Sequence, residues 1–144
     1  MKVYSLTKAH IQNINDISKT TLKLSLLNIK NIEDNRFLLI IESVIENSIK
    51  ISIYPLKKEN IIKVTFSTLH FSNEIFDIIS SILQNYKVIH TSGILLIETQ
   101  LYYECYLNLN LDEAKSMGLN ASLDKIKNIF KQIKIEEIGL KKHE

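Results

Sequence analysis

The residues able to do acid–base, nucleophilic or metal chemistry are few and scattered. The histidines are His10, His70, His90 and His143, and Cys105 is the lone thiol. A zinc-type site needs three or four convergent ligands, usually with a close pair at fixed spacing, and none of these residues forms such a pair. Cys105 falls in the apolar phase of an alternating run, where cysteine behaves as a small hydrophobe. Pairing it with His90 as nucleophile and base would also require an orienting carboxylate, which the spacing does not supply. Gly93, Gly118 and Gly139 stand apart, so there is no glycine-rich phosphate loop. Glu136 and Glu137 read as a solvated edge. The expectation is a protein that is not an enzyme and carries no cofactor and no metal.

His70 sits in a more suggestive place. The stretch Thr68-Leu69-His70-Phe71-Ser72 leads into a predicted helix, whose first amides and positive dipole end can hold a carboxylate. A solvent-facing histidine and a serine that merely caps the helix are the simpler readings of the same residues.

These groups must be held by elements that the sequence punctuates well after its only proline, Pro55. Ile62, Val64 and Phe66 alternate with Lys63, Thr65 and Ser67, the period of a half-buried strand. Ser72 predicts an N-cap, Glu74 suits the first turn, and Ile75, Ile78, Ile79, Ile82 and Leu83 form one helical face ending near Asn85. Val88 to Ile97 reads as a strand bent at Ser92-Gly93. Glu98-Thr99-Gln100 links it to an alternating strand through Leu101, Tyr103, Cys105, Leu107 and Leu109. Leu111 to Asn120 reads as a loop, and a second helix is expected from Ser122 with Leu123, Ile126, Ile129, Phe130 and Ile133 on its buried side. Ile135 to Leu140 closes the pattern as a short strand. The reading is α+β, with two helices on one face of a four-stranded antiparallel sheet.

Before the proline the signals compete. Phe37 to Val44 and Ile49 to Tyr54 flank Glu46-Asn47-Ser48 as a hairpin would. Leu22, Leu24 and Leu26 alternate as in a strand, while Leu22, Leu26, Ile29 and Ile32 also fall at helical spacing. Residues 1–57 are therefore a β-meander or a winged-helix-like segment, and residues 58–144 a second domain, joined at Tyr54 to Asn60.

Composition bounds the setting. Eighteen basic and sixteen acidic residues leave a net charge of +2, too little to recruit nucleic acid or membranes by field alone. Arg36 is the only arginine, which disfavours extensive bidentate reading of phosphates or bases. The longest apolar run, Phe37 to Ile41, falls far short of the roughly 18–20 residues that cross a bilayer. The start, Met1-Lys2-Val3-Tyr4-Ser5, lacks the apolar core of a signal peptide. A single cysteine permits no internal disulfide. The expected setting is cytoplasmic, without membrane contact.

The order strand, helix, strand, strand, helix, strand from Ile61 to Lys142 resembles the ACT and RAM families of regulatory domains. The resemblance covers somewhat more than half the chain and rests on pattern. It implies a ferredoxin-like βαββαβ fold and an amino acid or other small-molecule effector held by Thr68, Leu69, His70 and Ser72. Where ACT domains commonly place a glycine in that turn, this sequence has none. With a helical N-terminal part the whole arrangement resembles the Lrp/AsnC regulators, through Asp16-Ile17-Ser18-Lys19 and Ser25 to Glu33. That likeness implies DNA contacts from Lys19, Lys23, Asn28, Lys30 and Asn31. Tyr102 and Tyr106 fall on the strand face opposite Tyr103, which two helices on one side would leave open. Aromatic side chains there suit RNA stacking or pairing with another sheet, and the second is expected, as a two-fold homodimer. A ligand-responsive regulatory protein is the leading expectation, with a DNA-binding regulator and an assembly subunit or RNA scaffold as the alternatives.

Overall fold

Residues 6–15, 32–109 and 113–140 are described by the computed structural model, and their elements are those of an α+β protein with antiparallel sheets. The chain divides into two units: one takes Met1–Glu59 together with Ile138–Glu144, and the other spans Asn60–Glu137. No helix among the described residues is long and apolar enough to cross a membrane.

In the first unit, β1 (Thr7–Asn13), β2 (Phe37–Ile45) and β3 (Ser48–Leu56) form a three-stranded sheet in the order β1-β2-β3. β2 pairs with both neighbours antiparallel. Successive strand residues point to opposite faces, yet Leu38 and Leu39 are both fully buried, so this end of β2 is covered on both sides. The expected hairpin is present, with Glu46-Asn47 at its turn and Glu46 at φ 47°. Pro55 does not begin the connector. It lies inside β3 opposite Leu38, and an edge strand tolerates the missing ladder donor. β1 was not foreseen, because Thr-Lys-Ala-His-Ile-Gln-Asn mixes polar and apolar side chains without clear alternation, although Thr7, Ile11 and Gln12 are buried. Gly139 and Leu140 lie along β1: the Ile11 N–H donates to the Gly139 carbonyl at 3.4 Å, and Leu140 bridges Ile11 in parallel.

In the second unit the elements run β4 (Ile61–Thr68), α1 (Asn73–Leu83), β5 (Lys87–Ile97), β6 (Gln100–Asn108), α2 (Glu113–Ile126) and β7 (Gln132–Ile138). The sheet order is β5-β6-β4-β7, and β6 pairs antiparallel with both β4 and β5. One apolar cluster joins Val64 and Phe66 of β4, Cys105 and Leu107 of β6, Ile79 and Leu83 of α1, and Leu119 and Leu123 of α2. Phe130 completes it, with its ring centroid 5.1 Å from that of Phe66. Burying an aliphatic or phenyl side chain of this size stabilises the fold by about 1.5–3 kcal/mol each before entropy is counted.

Local chemistry explains the boundaries. The Ile75 N–H donates to Ser72 Oγ at 3.2 Å, the capping bond expected from the sequence. Two register shifts interrupt the β5–β6 ladder, one between Val88 and His90 and one between Thr91 and Ile94 at Gly93, whose φ of 73° suits a residue without a Cβ. The second helix departs from expectation. It begins at Glu113, not Ser122, and ends at Ile126. Gly118 lies within it, where an added Cβ would sit 3.4 Å from the Tyr86 hydroxyl. A glycine costs a helix interior about 1 kcal/mol relative to alanine, and the helix carries it here with the Tyr86 hydroxyl at ordinary van der Waals distance from where a Cβ would sit. Ile129 is accordingly exposed in the turn after the helix, Phe130 is buried from that turn, and Ile133 belongs to β7. The closing strand sits three residues earlier at its start than the apolar pattern from Ile135 indicates.

Candidate functional site

The turn between β4 and α1 is already occupied by its own backbone chemistry. Thr68 is buried, while Leu69, His70 and Ser72 are exposed. The His70 N–H donates to Thr68 Oγ1 at 3.5 Å, and Ser72 Oγ takes the Ile75 amide. Two of the donors that a bound carboxylate would use near this helix start are thus engaged by side-chain oxygens. His70 is exposed at the surface. Phe71 and Phe76 lie with ring centroids 5.5 Å apart at 37° to each other, giving the turn an apolar flank.

The opposite face of the same sheet, away from α1 and α2, holds a polar cluster on β4, β6 and β7. Lys63 and Glu104 are 3% and 0% exposed, and Lys63 Nζ lies 2.6 Å from Glu104 Oε2. Glu136 Oε2 approaches the same ammonium at 3.9 Å, and Lys134 Nζ lies 3.0 Å from Glu136 Oε1. The Lys63 ammonium also stands 5.9 Å from the centroid of the Tyr106 ring, and the His90 ring meets that ring edge-on at 6.0 Å. Strand register explains the assembly: Lys63 faces Tyr106 across β4–β6, Thr65 faces Glu104, and His90 faces Tyr106 across β5–β6. Nothing in hydropathy marked these positions as buried. The usable signal was their phase, since Lys63, Glu104 and Tyr106 all fall opposite the apolar stripe.

Tyr102 and Tyr106 do not form an open aromatic surface. They are 4% and 0% exposed, and the Tyr102 hydroxyl donates to Gln100 Oε1 at 2.9 Å. The expectation failed because it equated a face not covered by α1 and α2 with solvent exposure, whereas the β4 and β6 side chains on this face are buried.

Cys105 and His90 lie on opposite faces of the sheet, because Cys105 pairs with Thr91 while His90 pairs with Tyr106. Burial pushes the Cys105 thiol up to about 12, against a small lowering by its hydrogen bond to the Val64 backbone. A thiol so far from its thiolate is inert as nucleophile or ligand. Among the described residues no three His, Cys, Asp or Glu side chains gather as a metal site requires. His143, and the DNA-contact set Lys19, Lys23, Asn28, Lys30 and Asn31, lie outside the described residues.

Cavities lie elsewhere among the described residues. One, of about 340 Å³, lies between α1 and α2, with Ile78, Ile82 and Ile126 as its apolar wall and Asp77 and Lys125 at its rim. Another, of about 380 Å³, gathers Asn13, Asn15, Asn35 and Arg36 in the first unit. Neither is lined by Thr68, Leu69, His70 or Ser72. No protein-family model matches the chain, and no curated protein is significantly similar to it.

Proposed function

We propose that the chain is a non-enzymatic, ligand-responsive regulatory protein whose second unit is an ACT-like, ferredoxin-like module. The observation that carries this reading is the chain order of β4, α1, β5, β6, α2 and β7, combined with the sheet order β5-β6-β4-β7 and a single core shared by both helices. That topology leaves the β4–α1 turn at one end of the sheet, beside a helix start whose dipole favours anions. A small carboxylate effector, an amino acid first among them, would lie against His70 and the free first-turn amides. The Ser72 cap and the lack of a turn glycine narrow the backbone approach, so the effector contacts the surface of the turn. Its action is linkage: an effector bound more tightly by one assembly state shifts the protein toward that state.

Thermal unfolding of the full chain with each of the twenty amino acids tests this. An effector at one hundred times its Kd stabilises the folded state by about 2.7 kcal/mol, which shifts the transition of a domain this size by several degrees. His70→Ala should remove that shift without changing the transition of the ligand-free protein. Twenty flat responses, with no change in mass on any addition, would end the amino-acid reading.

A further inference from the structure

Arg36 is the only arginine in the chain, and among the described residues its guanidinium makes no ion pair. Two carboxylates stand close by in sequence, since Glu33 and Asp34 belong to the short 3-10 helix Ile32–Asp34, yet neither pairs with it. The backbone of Arg36, by contrast, is pinned on both sides. Its N–H donates to the Leu56 carbonyl at 3.1 Å, at the end of β3, and its carbonyl accepts the Ile14 N–H at 3.0 Å, just beyond β1. A residue tied to both neighbouring strands gives its side chain a fixed root, so less freedom is lost when the planar fork takes a partner.

Arg36 lines the cavity of about 380 Å³ at this end of the sheet, with Asn13, Ile14, Asn15, Asn35 and Phe37. That volume falls among those of small-molecule sites, roughly 300–1,000 Å³. The lining contains no acid and no lysine, so its formal charge is that of the guanidinium alone. The Asn15 N–H donates to Asn13 Oδ1 at 3.0 Å, which fixes the orientation of that carboxamide. With its oxygen engaged by the turn, the group Asn13 has left over is its NH2, two donors and no acceptor. A cation would meet no carboxylate here, and a wholly apolar ligand would leave the guanidinium and the amide desolvated and unpaired. A polynucleotide fits poorly too, because a phosphate track needs a row of basic side chains and this lining has one.

We propose that this cavity binds a small-molecule oxyanion, a phosphate or carboxylate group, held by the two-pronged Arg36 guanidinium and the NH2 of Asn13. An arginine fork matches two coplanar oxygens of either group, which the point charge of a lysine does not. The amides of Asn15 and Asn35 border the rest of the ligand and suit polar substituents such as hydroxyls, while Ile14 and Phe37 supply an apolar wall. The site lies wholly in the first unit, so it stands or falls apart from the turn at His70.

The test titrates the full, nitrogen-15-labelled chain with sodium phosphate and with succinate, against sodium chloride at matched ionic strength. Saturable shifts are expected at the amides of Asn13, Asn15, Arg36 and Phe37, with a Kd below about 10 mM. Whichever of phosphate and succinate binds more tightly names the acidic group. Arg36→Ala should weaken binding roughly tenfold to a hundredfold, and Arg36→Lys, which keeps the charge and loses the fork, roughly tenfold. Asn13→Asp keeps an acceptor for the Asn15 amide but sets a negative charge beside the ligand. It should abolish binding while the amide spectrum still reports a folded sheet. Absence of saturation, chloride shifts equal to those of phosphate, or binding undiminished by both Arg36 variants overturns the proposal. Shifts confined to His70 and Ser72 also overturn it, while favouring the effector turn of the regulatory reading. Binding at Arg36 with that turn silent supports the site whatever becomes of the turn.

Discussion

Along the two central strands, β4 and β6, the two faces of the second unit's sheet are both buried and chemically opposite. On one, Val64, Phe66, Cys105 and Leu107 meet α1 and α2 in an apolar core. On the other, Lys63, Thr65, Ser67, Tyr102, Glu104 and Tyr106 are each no more than 5% exposed. The difference teaches that a strand's alternation reports which side chains differ in polarity, and leaves open which face meets water. The apolar face is held by contact and by water exclusion. The polar face is held only if each buried group keeps its partner, because an uncompensated charge in such a place is far more costly than a missing methyl.

That contrast can be broken most forcefully at Glu104. Glu104→Ala leaves the Lys63 ammonium buried without its nearest carboxylate and should cost about 3–5 kcal/mol. Urea unfolding reads it as a lower midpoint at unchanged slope, and a loss below about 1 kcal/mol, the range of an exposed pair, would refute the burial of this face. The double replacement Lys63→Met with Glu104→Leu removes both charges together. It should be neutral or stabilising by about 1–4 kcal/mol, far from the sum of the single losses.

On the apolar face, Leu107→Ala should cost about 2–5 kcal/mol through lost contacts and the cavity left behind. Here no second substitution restores stability by neutralising a charge. If Leu107→Ala proves harmless, the shared core of α1 and α2 is not packed as described. Ser72→Ala should cost about 1 kcal/mol through the lost cap, whereas Ser72→Asp should retain most of the stability. Circular dichroism during the melt would detect the difference, and equal behaviour of the two variants would dismiss the capping bond.

The smallest effect at neutral pH belongs to Cys105. Its folded-state value lies near 12, above the ordinary 9.0. The folded state therefore holds its proton where the unfolded state has released it. The contribution is fully present below pH 9 and is lost as pH rises toward 12. Cys105→Ala should flatten that part of the stability profile. Alkylation of the native thiol at pH 8 should proceed only through unfolding, at a rate that follows urea concentration; rapid labelling of the folded chain would contradict it.

The sequence made the second unit legible wherever one physical signal acted alone. Ile62, Val64 and Phe66 defined β4, Ser72 marked the start of α1, and Ser92-Gly93 located the irregularity in β5. It misled where two signals opposed each other. Gly118 looked like a break because glycine weakens helices, but its cost of about 1 kcal/mol is small enough for the helix from Glu113 to Ile126 to run through it. Pro55 looked like a boundary because it cannot join a ladder on both sides, but on an edge strand it needs only one. β1 was invisible since its partner strand begins more than twenty residues later, and no local pattern records a pairing at that distance. The candidate turn was legible as a helix start and nothing more. The Lys63–Glu104 pair was legible only as phase, because burial of a charge is set by what lies across the sheet, and composition carries no trace of it.

Both two-residue hairpin turns close on a glutamate held in the left-handed region, Glu46 at φ 47° and Glu98 at φ 56°. For a residue with a Cβ that conformation is uphill by roughly 1–2 kcal/mol, so each long hairpin of this chain stays folded against a small internal spring. Replacing either glutamate with glycine would relax the spring, and both together offer a route to a hardier protein that touches neither the sheet faces nor the cores.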